Sequence, residues 1–298
     1  MNNYFSLSFA ILLSLLFSAS HSYAQTSSKE RFKPYIAATP IEGDLPSITQ
    51  HLKDTLVSGG FTIAGEYSPF EGATVIAITN DTLKTIAAKT AFGGYGAVIR
   101  VGIRQLKDNI QVSYVNPVYM SHVYRMESLE EVSTQLASLI GNTSHFGSKK
   151  GLKAKALKKY HYMAFMPYFN DHDKLASFDS HDAALKMINA NLVDNSNGLQ
   201  KVFQVDLGEK EEVLFGVGIS NGDGSDKTIM DKIDKNTLKH TAHLPYGLLV
   251  SGKNVYSLPG KFRIALAFPD LGMGDFMKIS SAPKAIKASL KTLTKPSK

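Results

Sequence analysis

Hydrophobic positions change period along this chain, and the changes come in an order that recurs. Ile48, Leu52, Leu56 and Val57 fall at helical spacing and stop at Gly59-Gly60. Residues 61–67 and 74–79 are rich in aromatic and β-branched side chains and predict strands, after a first strand over 32–38. Asn80 and Asp81 are natural caps for a helix over 82–90, closed by Gly93-Gly94. Strands follow at 97–104 and 110–115, around the turn Lys107-Asp108-Asn109. Ser128 caps a last helix over 129–140, whose first turn carries Glu130 and Glu131 where the dipole favours acids.

The remainder of the chain reads in the same order. A strand is predicted over 160–169, then a helix capped by Ser180 with Leu185, Ile188, Leu192 and Val193 on one side. Strands at 199–205 and 213–219 precede a helical region over 227–240, which the turn at 221–226 introduces. Later strands at 248–256 and 262–268 flank Leu258-Pro259-Gly260, and Pro283 starts a closing helix. Short segments echo each other as well: Tyr95-Gly96 with Tyr246-Gly247, Pro117 with Pro269, Met120 with Met273, Arg125 with Lys278. The fold class expected is therefore α+β. Two tandem copies of a β-α-β-β-α-β-β-α unit, with antiparallel sheets and helices on one face, would span residues 25–144 and 160–298. Residues 145–159 form a basic linker between them.

Compartment narrows the chemistry. The apolar run from Phe5 to Phe17, followed by Ser22-Tyr23-Ala24, has the pattern of a secretory signal over residues 1–24 cleaved after Ala24. The run is shorter than the roughly 20 residues that span a bilayer. An exported, periplasmic protein with no transmembrane segment after the cleavage site is the expectation. The chain has no Cys, which removes thiol catalysis, thiolate zinc sites and iron–sulfur clusters. Its 298 residues, 43% of them apolar, can furnish substantial cores without disulfides. The formal charge of +7 suits anionic envelope partners better than nucleic acid in that compartment. Lys149, Lys150, Lys153, Lys155, Lys158 and Lys159 crowd together, and they read as a solvated face or, alternatively, as an anion site.

With those residues in view, a family resemblance can be stated. Asn116-Pro117-Val118-Tyr119-Met120 and Phe268-Pro269-Asp270-Leu271-Gly272-Met273-Gly274, each read as following a last strand, resemble the bacterial family catalogued as domain of unknown function 302. Lys159-Tyr160-His161-Tyr162-Met163 and Met166-Pro167-Tyr168-Phe169 are similar to stretches in an exported proteobacterial subgroup. The resemblance implies a TBP-like α+β fold and carries no activity with it.

Candidate chemistry is sparse. His240 and His243, at i and i+3 of the expected helix, could share a metal ion, with His161 and His172 in the same half. Met120, His122 and Met126, with Met273 and Met277, could hold Cu(I), although the second half offers Asp275 where the first has His122. Methionine packing between sheet and helix explains them as well. The turn at 221–226 fails the calcium-loop pattern, with Asp226 where Gly is needed and Lys232 where Glu is needed, and reads as a helix cap. Asp270 and Asp275 form no acid–base pair with a recognisable nucleophile. Alternation over 160–168 would put Tyr160, Tyr162, Met166 and Tyr168 on one face, as an interface between copies or a ligand groove. No cofactor is required by the sequence, and a metal ion is compatible with it. The leading expectation is a non-catalytic module for a small ligand, with Tyr95, Met120, His122, Tyr246, Asp270, Met273 and Asp275 at its site. The alternatives are a metal-dependent enzyme using His240 and His243, and an adaptor binding another envelope protein.

Overall fold

A computed structural model describes residues 30–161, 163–193 and 198–296. The secretory segment expected over 1–24 lies outside the described residues, as does Tyr162. The chain begins β1 (Arg31–Phe32), β2 (Tyr35–Ala37), α1 (Leu45–Ser58), β3 (Thr62–Phe70), β4 (Ala73–Thr79) and α2 (Asp81–Ala88). It continues through β5 (Ile99–Gln105), β6 (Ile110–Val115), α3 (Pro117–Val123) and α4 (Glu130–Ile140). A connecting stretch holds β7 (Ser144–Phe146), β8 (Leu152–Lys153) and α5 (Ala154–Lys158). Then come β9 (Asp173–Ser177), α6 (His181–Val193), β10 (Leu199–Asp206), β11 (Glu212–Ile219) and α7 (Asp226–Ile233). The last elements are β12 (Tyr246–Ser251), β13 (Asn254–Ser257), α8 (Gly260–Ala267), α9 (Met273–Met277) and α10 (Ala282–Thr292). Single 3-10 turns at Gly93–Gly96 and Thr241–His243 precede β5 and β12.

Side chains at the helix ends set many of these boundaries. Asp44 accepts the Ser47 N–H at 2.8 Å while Ser47 Oγ accepts the Asp44 N–H at 3.2 Å, a reciprocal cap that starts α1. Asn80 Oδ1 accepts from Leu83 N at 2.8 Å at the head of α2. Asn116 does the same for Val118 N at 3.0 Å, with Pro117 in the first turn of α3.

Two antiparallel sheets dominate the fold. The six-stranded sheet has the order β3-β4-β5-β6-β2-β7 and the five-stranded sheet the order β10-β11-β12-β13-β9. A short ladder joins β1 to β8. Alternation sends Ile76, Ile78, Ile99, Val101 and Ile103 into a core with Leu52 and Leu56 of α1 and Leu136 of α4. Val213, Phe215, Val217, Leu248 and Val250 meet Ile188 of α6 and Ile286 of α10 in the same way. The helices thus cover one face of each sheet. Across the other face the two halves touch closely: a Cβ at Gly102 of β5 would lie 2.6 Å from Ala242 N, and one at Gly94 would lie 2.7 Å from Leu249 Cδ1 of β12. Each core also borrows from the other half. Val202, Phe203 and Leu249 join the first, and Tyr35, Ala37 and Val75 join the second. No helix among the described residues is long and apolar enough to cross a membrane.

Several expected elements differ. Residues 262–268 were expected as a strand, yet Gly260–Ala267 is helix α8, and nearly every side chain of it is buried. A helix buried on nearly all sides loses its 3.6-residue signature and reads like a buried strand. The paired strands there are β12 and β13, joined at Gly252-Lys253, where Gly252 has φ 50. The described residues of 160–169 contain no strand, so the expected Tyr/Met face does not form. Helix α7 ends at Ile233, and His240 and His243 therefore do not share a helix face. The paired landmarks also separate. Pro117 follows β6 and opens α3, whereas Pro269 comes after α8; the proline that follows β13 is Pro259. Tyr95 sits in a 3-10 turn before its strand, while Tyr246 is the first residue of β12. Tyr-Gly and Pro-Met are matches of letters at positions with different local structure.

Candidate functional site

The basic stretch after β7 is built into the fold. Leu157 is fully buried and fixes α5 to the first core, which turns Lys155, Lys158 and Lys159 outward. Arg125 Nε donates to Lys158 O at 3.1 Å, satisfying a carbonyl at the end of α5. The loop before β8 turns on Gly147 and Gly151, with φ 93 and 66, values that favour glycine. Gly151 N donates to Ser148 Oγ at 3.1 Å, and Arg31 Nη1 donates to Gly151 O at 3.1 Å. From the α8–α9 connection, Asp270 accepts the Lys149 N–H and, at 3.3 Å, the Ser148 hydroxyl.

These contacts shape a groove of about 870 Å³. Arg31, Lys149, Lys150, Lys153, Lys155 and Lys159 line it, along with Tyr160 and His161. Asp270 is the acid in that lining, and its carboxylate is already engaged by the loop. Ser148, Lys149 and Asp270 also border a neighbouring pocket of about 400 Å³. That pocket is lined further by Lys33, Lys235, His240, Phe268 and Asp275. Its deepest group is His240, which is 1% exposed, with Nδ1 3.3 Å from Asp234 Oδ1. The ring packs beside Tyr35 and Phe146, at centroid distances of 5.0 and 5.7 Å, the three rings forming a triangle with Tyr35 and Phe146 5.4 Å apart, and among the described residues His240 Nε2 is buried without a partner.

The sequence candidates do not form one site. His240, Asp270 and Asp275 share the smaller pocket, where Asp275 is also ion-paired with Lys278 at 2.6 Å. Met120 borders an interior cavity. Tyr95 is buried against His172, at a centroid distance of 5.8 Å, and its hydroxyl has no partner. Burial pushes the Tyr95 phenol up and the His172 imidazole down to about 4. His122 packs edge-on against Phe32, and burial followed by nearby Lys158 lowers its pKa. Tyr246 places its hydroxyl 3.4 Å from His243 Nε2. Met273 is exposed, 48% of its surface facing solvent. Among the described residues no group of three or more His, Cys, Asp or Glu could hold a metal ion. Burial, then Arg263 and Arg100, push His243 well below its usual range, a positive setting that opposes a cation.

Sequence reading passed over Arg100 and Arg263, both buried. The signal was present, because each is a lone arginine inside an apolar run, Val98-Ile99-Arg100-Val101 and Phe262-Arg263-Ile264. Against known proteins, no family model matches the chain, and no curated protein and no solved structure matches it.

Proposed function

We propose that the protein is a non-catalytic binding module for a small, multiply charged anion, taken up in the groove between the Lys149 loop, α5 and Asp270. The observation that carries this reading is the lining: one arginine and five lysines border a concavity of about 870 Å³ with a largely apolar floor, and its acid is already committed to the backbone of Lys149. That volume lies within the range of about 300–1,000 Å³ usual for small-molecule sites. Lysines around a concave wall raise the local concentration of anions and favour phosphate or carboxylate groups. Calorimetric titration with inorganic tripolyphosphate and with citrate at low ionic strength tests it.

The module is read as a tandem duplication. Supporting this, β3-β4-β5-β6-β2 and β10-β11-β12-β13-β9 have the same strand order, with a 3-10 turn before β5 and before β12. Register shifts fall at Ile63/Gly65 in β3 and at Lys201/Phe203 in β10, the matching edge strands. Export rests on the Phe5 to Phe17 run and Ser22-Tyr23-Ala24. Membership in the domain of unknown function 302 family rests on the quoted segments alone. In an envelope, phosphorylated or carboxylated solutes and polymer fragments would supply the anion.

A further inference from the structure

Among the described residues, two guanidinium groups sit in the interior with no acid in ion-pair contact. Arg100 of β5 is 4% exposed and Arg263 of α8 is 7% exposed. They border one cavity of about 20 Å³, together with Tyr35, Tyr119, Met120 and Tyr124. Arg263 Nη2 donates to the His243 carbonyl, whereas Arg100 Nε is buried with no partner. Among the described residues neither arginine forms an ion pair. Asp234, whose charge also bears on Tyr35, is occupied by His240: it accepts the His240 N–H at 3.0 Å and faces Nδ1 at 3.3 Å. The Phe203 ring, 5.9 Å from Arg100 Cζ, offers only a weak cation–π contact.

Guanidinium stays charged at physiological pH, and a buried charge without a partner is strongly unfavourable. Burial, then the neighbouring Arg263, bring Arg100 down to about 10, which leaves it a cation at neutral pH. Two like charges facing one void therefore call for a counter-ion. The void limits what that can be. At about 20 Å³ it accepts a species of roughly the size of one water. Tyr119 already donates to Leu266 O at 3.0 Å, which leaves Tyr35 and Tyr124 as the other phenol-bearing residues lining the void.

We propose that this cavity binds one monatomic anion of chloride size, clamped between Arg100 and Arg263. Because Arg100 comes from the first half of the chain and Arg263 from the second, the ion ties the halves together. The site is separate from the surface groove, and either can fail without the other.

Bromide supplies a direct probe of the intact protein. Crystals grown in sodium bromide are expected to show an anomalous peak between the two guanidiniums; a water or an empty cavity there overturns the proposal. In solution, thermal unfolding is followed from zero to high chloride, with gluconate holding ionic strength constant. The expected result is a saturable rise of several degrees in Tm with chloride. Sulfate, too large for the cavity, should not reproduce it. The rise should vanish in Arg100→Met, which removes one charge at similar volume. Equal Tm in chloride and gluconate, or an unchanged chloride response in Arg100→Met, overturns the proposal. Should Arg100→Met fail to fold, the bromide map of the unaltered protein decides.

Discussion

Glu212 reaches from β11 across to the turn that carries Phe92, and its Oε1 accepts the Phe92 N–H at 3.2 Å. The other carboxylate oxygen accepts Gly94 N at 3.2 Å, and Ser251 Oγ donates to Oε1 at the same distance. Phe92 sits in the left-handed region at φ 58, a conformation that costs on the order of 1–3 kcal/mol without support. Its ring stacks on His172 at 3.9 Å, so backbone and side chain are both held by the second half. Glu212→Gln turns an amide N–H₂ toward one of these donors. It should destabilise the protein by about 1–3 kcal/mol in urea unfolding, the usual consequence of a buried donor left unpaired. Unchanged stability would mean that this bridge does not join the halves.

Asp226 gives the fold a pH dependence. It is fully buried, accepts Tyr67 Oη at 2.6 Å and Ile219 N at 3.0 Å, and burial pushes it up from 3.8 to about 7. Between those values the folded state keeps a proton that the unfolded chain has released. The contribution is therefore fully present below about pH 4 and is lost as pH rises through about 7. A shift of this size corresponds to at most about 4 kcal/mol. Asp226→Asn should flatten the decline in unfolding free energy between pH 4.5 and pH 7.5. A variant that keeps the wild-type slope would assign it to other groups.

Close approach of the edge strands β3 and β10 is tested by one methyl group. A Cβ at Gly65 would lie 1.9 Å from Val202 O, a backbone atom that a side-chain rotation cannot move. Gly65→Ala should cost about 3 kcal/mol or more, at the upper end of overpacking penalties. Gly272→Ala is the control: its φ is -67 and nothing lies within 4 Å of the added carbon. That change should alter Tm by less than a degree or two. Equal effects at the two positions would contradict a close approach of β3 and β10.

What the sequence disclosed follows from how each segment meets water. α1, α2 and α4 were legible because one side of each is buried and caps or glycines mark their ends, with Asn80 and Gly59 as the clearest markers. α8 was missed because Phe262 to Ala267 is buried on every side, which erases the periodicity that separates helix from strand. The β12–β13 hairpin was missed for a local reason: its turn is only the two residues Gly252-Lys253, between Ser251 and Asn254, whereas Pro259-Gly260 carries the stronger turn letters. The candidate residues dispersed because their pairing assumed that Tyr95 matches Tyr246 and Pro117 matches Pro269, which the elements do not support. The lysine cluster was visible as letters, but its concavity depends on Asp270, more than a hundred residues away in sequence.

Titration calorimetry with tripolyphosphate decides whether a multiply charged anion binds in the Lys149 to Lys159 groove. At low ionic strength a saturable isotherm is expected, weakening as salt rises because exposed charges are screened. Lys153→Gln with Lys159→Gln should reduce affinity about three- to tenfold, the scale of two exposed charge contacts. Lys84→Gln with Lys89→Gln removes the same net charge from α2 and its end, where the lysines pair with Asp81 and Glu127 at 2.8 Å, and should leave affinity unchanged. No heat of binding at low salt, or equal losses in the two double variants, would contradict a site in the groove.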